Sequence, residues 1–173
     1  MKSIIDTSTL ISLARIAYLE LIPMLRTDVS IPDEIYEEAV LKGEEKGFAD
    51  ATVIKYIIEK HRIKIVHVKA HSINALRKKA NKVLTKGDEA VPSLAIQEKA
   101  KEIVTDDDGL GKIAMALGFD VKATPDLLME GLRKNRLSLE DFEVFIRGLV
   151  IEYRLSSAVA ELYILEGRKD VKS

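Results

Sequence analysis

Short apolar runs alternate with segments of helical period along the first two thirds of the chain. Ser3 to Ile5 is the first run; it ends on Asp6, and Leu10, Leu13, Ala14 and Ala17 then recur at helical spacing, which predicts strand, turn and helix. Thr7 or Ser8 offers a hydroxyl to cap that helix, with Asp6 as a competing cap at the carboxyl end of a buried strand. A second apolar helix is predicted from Tyr18 to Leu25. Val29-Ser30-Ile31 reads as a strand closed by Pro32, and a helix follows from Asp33 to Leu41. Helical spacing returns from Phe48 to His61, a half-buried strand runs from Ile63 to Val68, and a basic helix from Ile73 to Leu84. Gly87-Asp88-Glu89 opens a helix carrying Leu94, Ala95 and Ile96. Glu102 to Thr105 is then a strand running into Asp106-Asp107-Asp108, followed by a helix from Gly109 to Leu117 and a last strand from Phe119 to Val121. Strands separated by helices of this length predict an α/β fold, a parallel sheet covered on both faces. From Pro125 onward the pattern is helical only. We therefore expect a domain over residues 1–124 and a helical extension over 125–173, whose apolar residues Leu149, Ile151, Val159, Leu162 and Ile164 call for packing on the domain or a dimer contact.

Composition bounds this picture without redirecting it. The 173 residues suffice for one core, and 47% hydrophobic with 32% charged residues excludes a disordered or fibrous chain. With no cysteine, disulfides, thiolate metal sites and cysteine nucleophiles are excluded. The opening Met1-Lys2-Ser3-Ile4-Ile5-Asp6 has neither a signal-peptide pattern nor a membrane span, so the expected address is the cytoplasm, with no membrane partner. The net charge of −1, from 27 basic and 28 acidic side chains, gives no global field to attract a polyanion, so nucleic-acid binding must come from local patches. His61, His67 and His71 lack metal-ligand spacing and are expected to be structural.

The acids fall where chemistry is expected. Asp6 and Asp106 to Asp108 directly follow apolar strands, the place where open parallel sheets carry ligand-binding residues. A helix cap at Gly109 needs one carboxylate, and the sequence supplies three; adjacent like charges repel, and a divalent cation or an arginine nearby relieves them. Asp33 and Glu34 are explained by the helix dipole alone, whereas Glu38 lies at the edge of the apolar face, with Glu37 as the competing choice. Asp88 or Glu89 supplies a further acid. Such a set, without cysteine or a histidine pair, suits a hard cation held by oxygens, of the kind that activates water for attack on a phosphodiester.

The residues Asp6-Thr7-Ser8, Pro32 to Glu38, Gly87-Asp88 to Ala95 and Val104-Thr105-Asp106-Asp107 occur in the order of the motifs of PIN-domain nucleases, and the chain resembles that family from Lys2 to Thr124, with a likeness to its prokaryotic VapC-type branch. The resemblance implies a PIN-like (Rossmann-like) parallel sheet flanked by helices, and Mg²⁺- or Mn²⁺-dependent cleavage of single-stranded RNA. It implies Asp6, Glu38, Asp88 and Asp107 as the catalytic, metal-binding acids, Asp106 as a neighbouring metal ligand, and Ser8 and Thr105 as supporting hydroxyls. It also brings a toxin role with an antitoxin partner, and a homodimer, into view. Pro92 departs from the family, which carries an apolar helical residue there; it puts the direction of Asp88 in question and leaves Glu89 as a substitute. The extra aspartate, Asp108, is assigned as a helix cap. The substrate patch is expected at Arg77, Lys78, Lys79, Lys82 and Lys86, with Lys112 one helical turn after the aspartates, although a solvated helix face explains these equally well. Two other readings compete: a catalytically weak PIN module that binds RNA or a protein partner, and a receiver-type acidic pocket, which would leave Glu38 without a role.

Overall fold

Ser3, Ile4 and Ile5 are fully covered although adjacent side chains on a strand point to opposite faces, so this first strand is buried on both sides. The computed structural model describes residues 2–80 and 89–172, apart from the side chains of Ala80 and Lys172. Among these residues the strands are β1 (Lys2–Ile5), β2 (Asp28–Pro32), β3 (Lys64–Val66), β4 (Glu102–Val104) and β5 (Asp120–Lys122), all paired in parallel in the order β3-β2-β1-β4-β5. The chain winds outward from β1 to β3 and then returns to β4 on the other side of β1. Winding thus reverses between β1 and β4, and the crevice beyond their carboxyl ends is where such sheets take ligands. In register, Ile5 stands opposite Val104, which brings Asp6 and Thr105 side by side.

The helices are α1 (Thr7–Arg15), α2 (Leu21–Leu25), α3 (Asp33–Tyr36), α4 (Lys42–Glu45), α5 (Ala49–Lys60), α6 (Ala70–Ala80), α7 (Ala90–Gln97), α8 (Asp108–Ala116), α9 (Thr124–Arg133), α10 (Leu139–Ile151) and α11 (Ser157–Lys172). The helix expected from Asp33 to Leu41 is interrupted: Glu37–Leu41 forms a π-helical turn between α3 and α4. Such single wide turns shift the phase of every side chain after them and recur at functional sites. The basic helix begins earlier than expected, at Ala70, and its predicted end lies outside the described residues. Of the candidate caps of α1, Asp6 is the one used, and one cap differs from expectation: Asp107, rather than Asp108, caps α8 by accepting from the Leu110 N–H at 2.8 Å. Pro92 does not disturb α7. It is the third helical residue, where the N–H has no partner within the helix in any case, and the ladder starts with Ser93 N–H on the Glu89 carbonyl at 3.0 Å.

The C-terminal helices share the core of the sheet. Leu128, Phe142 and Ile146 are fully covered within the same apolar cluster as Ile4 and Ile103. Backbones approach closely here: a Cβ at Gly148 of α10 would stand 3.1 Å from Ile16, and one at Gly131 of α9 only 2.6 Å from Leu137 and 3.1 Å from Leu21. Among the described residues no helix is long and apolar enough to cross a membrane.

At the amino end of β1 and β4 a charged network is buried in this frame. Arg26 bonds both oxygens of Glu102 at 2.7 and 2.8 Å and both oxygens of Glu130 at 2.8 and 2.7 Å, and Ser3 donates to Glu102 at 2.6 Å. The Arg26 guanidinium holds the Glu130 carboxyl down to about 2, with help from Lys134, against the opposing effect of burial. Paired carboxylates lift Arg26 further above its ordinary range. Removing one partner of such a network strands a buried charge. Arg26→Met should therefore cost about 3–5 kcal/mol in urea unfolding, and adding Glu102→Leu to it should recover part of the loss. Because the folded-state value of Glu130 is depressed, its contribution is present above about pH 4.5 and is lost as pH falls toward 2, so acid should narrow the gap between wild type and the Glu130→Gln variant.

Candidate metal centre at the carboxyl end of the sheet

Asp6 leaves β1 with its N–H still in the sheet ladder, donating to the Val104 carbonyl at 2.9 Å, and its side chain turns to the start of α1. One carboxylate oxygen, Oδ2, gathers the local donors. The Ser8 hydroxyl donates to it at 2.6 Å, the Thr105 hydroxyl at 2.9 Å, and the Ser8 N–H lies at 3.4 Å. Each hydroxyl is in turn fixed by a backbone amide of the turn after β4. The Asp106 N–H donates to Ser8 Oγ at 2.9 Å and the Asp107 N–H to Thr105 Oγ1 at 3.0 Å. Two hydroxyl bridges therefore tie the first acid to the loop carrying the triple aspartate. Ser8 and Thr105, the hydroxyls named in the sequence analysis, thus both donate to Asp6.

The three consecutive aspartates have separate environments. Asp107 is exposed; its Oδ1 caps α8, and its Oδ2 receives no hydrogen bond among the described residues. Asp108 is exposed in the first turn of α8, where its charge favours the helix dipole. Asp106 is half-buried and turns toward the start of α9, where Thr124 donates its N–H to Oδ1 at 2.6 Å and its hydroxyl to Oδ2 at 2.7 Å. Sequence reasoning missed Thr124. The available signal was Thr124-Pro125-Asp126, a helix start placed after the strand next to β4.

Of the two glutamates at the second acid position, Glu38 approaches this group: the Thr7 hydroxyl donates to its Oε2 at 3.3 Å. Glu37 pairs instead with Lys42 at 3.2 Å on the outer surface. The π-helical turn sets this choice, which a regular helical wheel leaves undetermined. Asp88, Lys82 and Lys86 lie outside the described residues. Glu89, the substitute for Asp88, is 6% exposed and bound to the Arg77 guanidinium through bonds of 2.8 and 2.9 Å. Arg77 thus directs two of its donors to Glu89. Lys78 and Lys112 are exposed. His67 contacts Asp33 at 2.7 Å and His61 contacts Glu20 at 2.6 Å.

The donor chemistry fits a hard divalent cation. Asp6 and Asp107 each commit one oxygen to the fold and keep the other, Oδ1 and Oδ2 respectively, without a donor among the described residues. Those residues do not by themselves complete a cage. Among them, no three His, Cys, Asp or Glu side chains stand close enough to hold an ion together.

The family model DUF3368, described as a PIN domain, matches residues 2–165, a span that includes most of the C-terminal helices. No curated protein and no solved structure matches the chain.

The hydroxyl bridges make Thr105 a sensitive position, since it is 3% exposed and serves two polar groups. Thr105→Val keeps the shape but leaves the Asp107 N–H without its acceptor and should destabilise the fold by about 1–3 kcal/mol. Thr105→Ser should recover most of that in thermal unfolding.

Proposed function

Because this chain belongs to the PIN-domain family, whose members are generally nucleases and typically use divalent metals, we propose that it is a Mg²⁺- or Mn²⁺-dependent endoribonuclease acting on single-stranded RNA. The observation that carries the reading is Asp6: a carboxylate at the switch point of the sheet, oriented through one oxygen by two hydroxyls, whose other oxygen has no donor among the described residues. A bound ion supplies Lewis acidity toward a phosphate oxygen and an activated water for in-line attack. Asp6, Asp107, Glu38 and Asp88 are the residues that would hold it. Ser8 and Thr105 keep Asp6 from rotating, and the cap on α8 does the same for Asp107. Lys78 and Lys112, both exposed, are the cations that would neutralise backbone phosphates. The toxin role, its antitoxin partner and a homodimer belong to the same proposal on the strength of the VapC resemblance.

One observation favours the alternative of a catalytically weak module that binds RNA or a protein: Glu89 is neutralised by Arg77, so the third acid rests on Asp88 alone. A single assay separates the two. Wild type with Mn²⁺ should cleave single-stranded RNA, and Asp6→Asn or added chelator should lower the rate by at least about 100-fold. Wild-type cleavage no faster than that of Asp6→Asn would establish the binding module instead.

A further inference from the structure

Asp106 is the one member of the triple aspartate whose two oxygens are both taken by another part of the chain. Thr124 grips it at 2.6 and 2.7 Å, and Thr124 is itself fully buried at the first position of α9. The grip is braced from behind. The Asp126 carboxylate accepts the Ala123 N–H at 2.9 Å through Oδ2, and its Oδ1 accepts the hydroxyl of Tyr163 from α11 at 2.6 Å. On the other side, the backbone of the gripped residue faces the acid pocket: the Asp106 N–H orders Ser8, and the next N–H orders Thr105, the two hydroxyls that hold Asp6. Hydrogen bonds linked by short stretches of backbone thus run from the last helix to the first acid.

We propose that Thr124 is a positioning residue for the acid pocket: by clasping Asp106 it fixes the turn between β4 and α8, and through Ser8 and Thr105 the orientation of Asp6. In this role Asp106 is an anchor of the turn and leaves metal ligation to Asp6 and Asp107. The C-terminal extension is then part of the site's construction, since α9 carries the clasp and α11 braces it. The inference rests on the metal-dependent reading for its consequence and on geometry alone for the clasp.

The two roles of Asp106 predict opposite signs for Thr124→Val, which keeps the side-chain shape and removes the hydroxyl. If Thr124 positions the pocket, Mn²⁺ affinity measured by electron paramagnetic resonance without RNA falls by about 10-fold or more, and Thr124→Ser restores it to within about threefold. If Asp106 is instead a ligand that Thr124 holds back, releasing it leaves the affinity unchanged or raises it, which overturns the proposal. A second measurement needs no metal. Amide exchange at Asp106 and Asp107 should quicken by about 10-fold or more in Thr124→Val and recover in Thr124→Ser; unchanged exchange overturns the clasp. Wild type that binds no Mn²⁺ would defeat the metal-dependent reading, and the exchange measurement would still decide for or against the clasp.

Discussion

The register of β1 against β4 is the constraint on which the rest of the site depends. These strands meet over only Ser3, Ile4 and Ile5 against Glu102, Ile103 and Val104. So short a ladder defines register weakly, and a slip of one residue would send every side chain to the opposite face. The protein fastens both ends. At the amino end Glu102 accepts from both Ser3 and Arg26; at the carboxyl end the Asp6 N–H reaches Val104 and two hydroxyls bridge Asp6 to the turn after β4. The buried ion network joins the same two strands at the end opposite the acids. A well-packed apolar replacement of a buried ion pair is commonly no less stable.

Much of this was legible in the sequence. Apolar runs ending on acids located the strands, and the helical spacing between them implied parallel crossovers, so the sheet and the positions of Asp6 and the triple aspartate followed from period and punctuation. The remainder depended on contacts between distant segments. Nothing local to Ser3, Arg26, Glu102 and Glu130 announces that they meet, and nothing local to Asp106 names Thr124 as its partner. The cap of α8 was misassigned by one residue for the same kind of reason. A run of three aspartates offers three candidate caps, and the choice depends on where β4 stops pairing.

At Glu38 local geometry departs from a regular helical wheel, and at Glu89 it keeps to one. After Tyr36 the π-helical turn widens the helix, which leaves Glu37 beside Lys42 and brings Glu38 to Thr7. At α7 the departure was expected from Pro92 and does not occur, because the third residue of a helix has no intrahelical N–H bond to lose. What Glu89 does is set by Arg77. A buried carboxylate held in a two-point guanidinium pair is already compensated, and to bind a cation it would have to give up both bonds.

Whether acids at strand ends are structural caps or metal ligands is often posed as a choice, but a carboxylate has two oxygens and a cap occupies one. Asp6 and Asp107 orient themselves through a single oxygen, Oδ2 and Oδ1 respectively, so the bonds that build α1 and α8 also aim the remaining oxygen. Capping here orients a carboxylate. Asp106 differs because Thr124 takes both of its oxygens, and a cation would have to compete with two short bonds at a helix start that itself favours negative charge. Counting committed oxygens therefore separates three adjacent, chemically identical residues: Asp106 gives both oxygens to Thr124, Asp107 caps α8 through one, and Asp108 is an exposed charge in the first turn of α8.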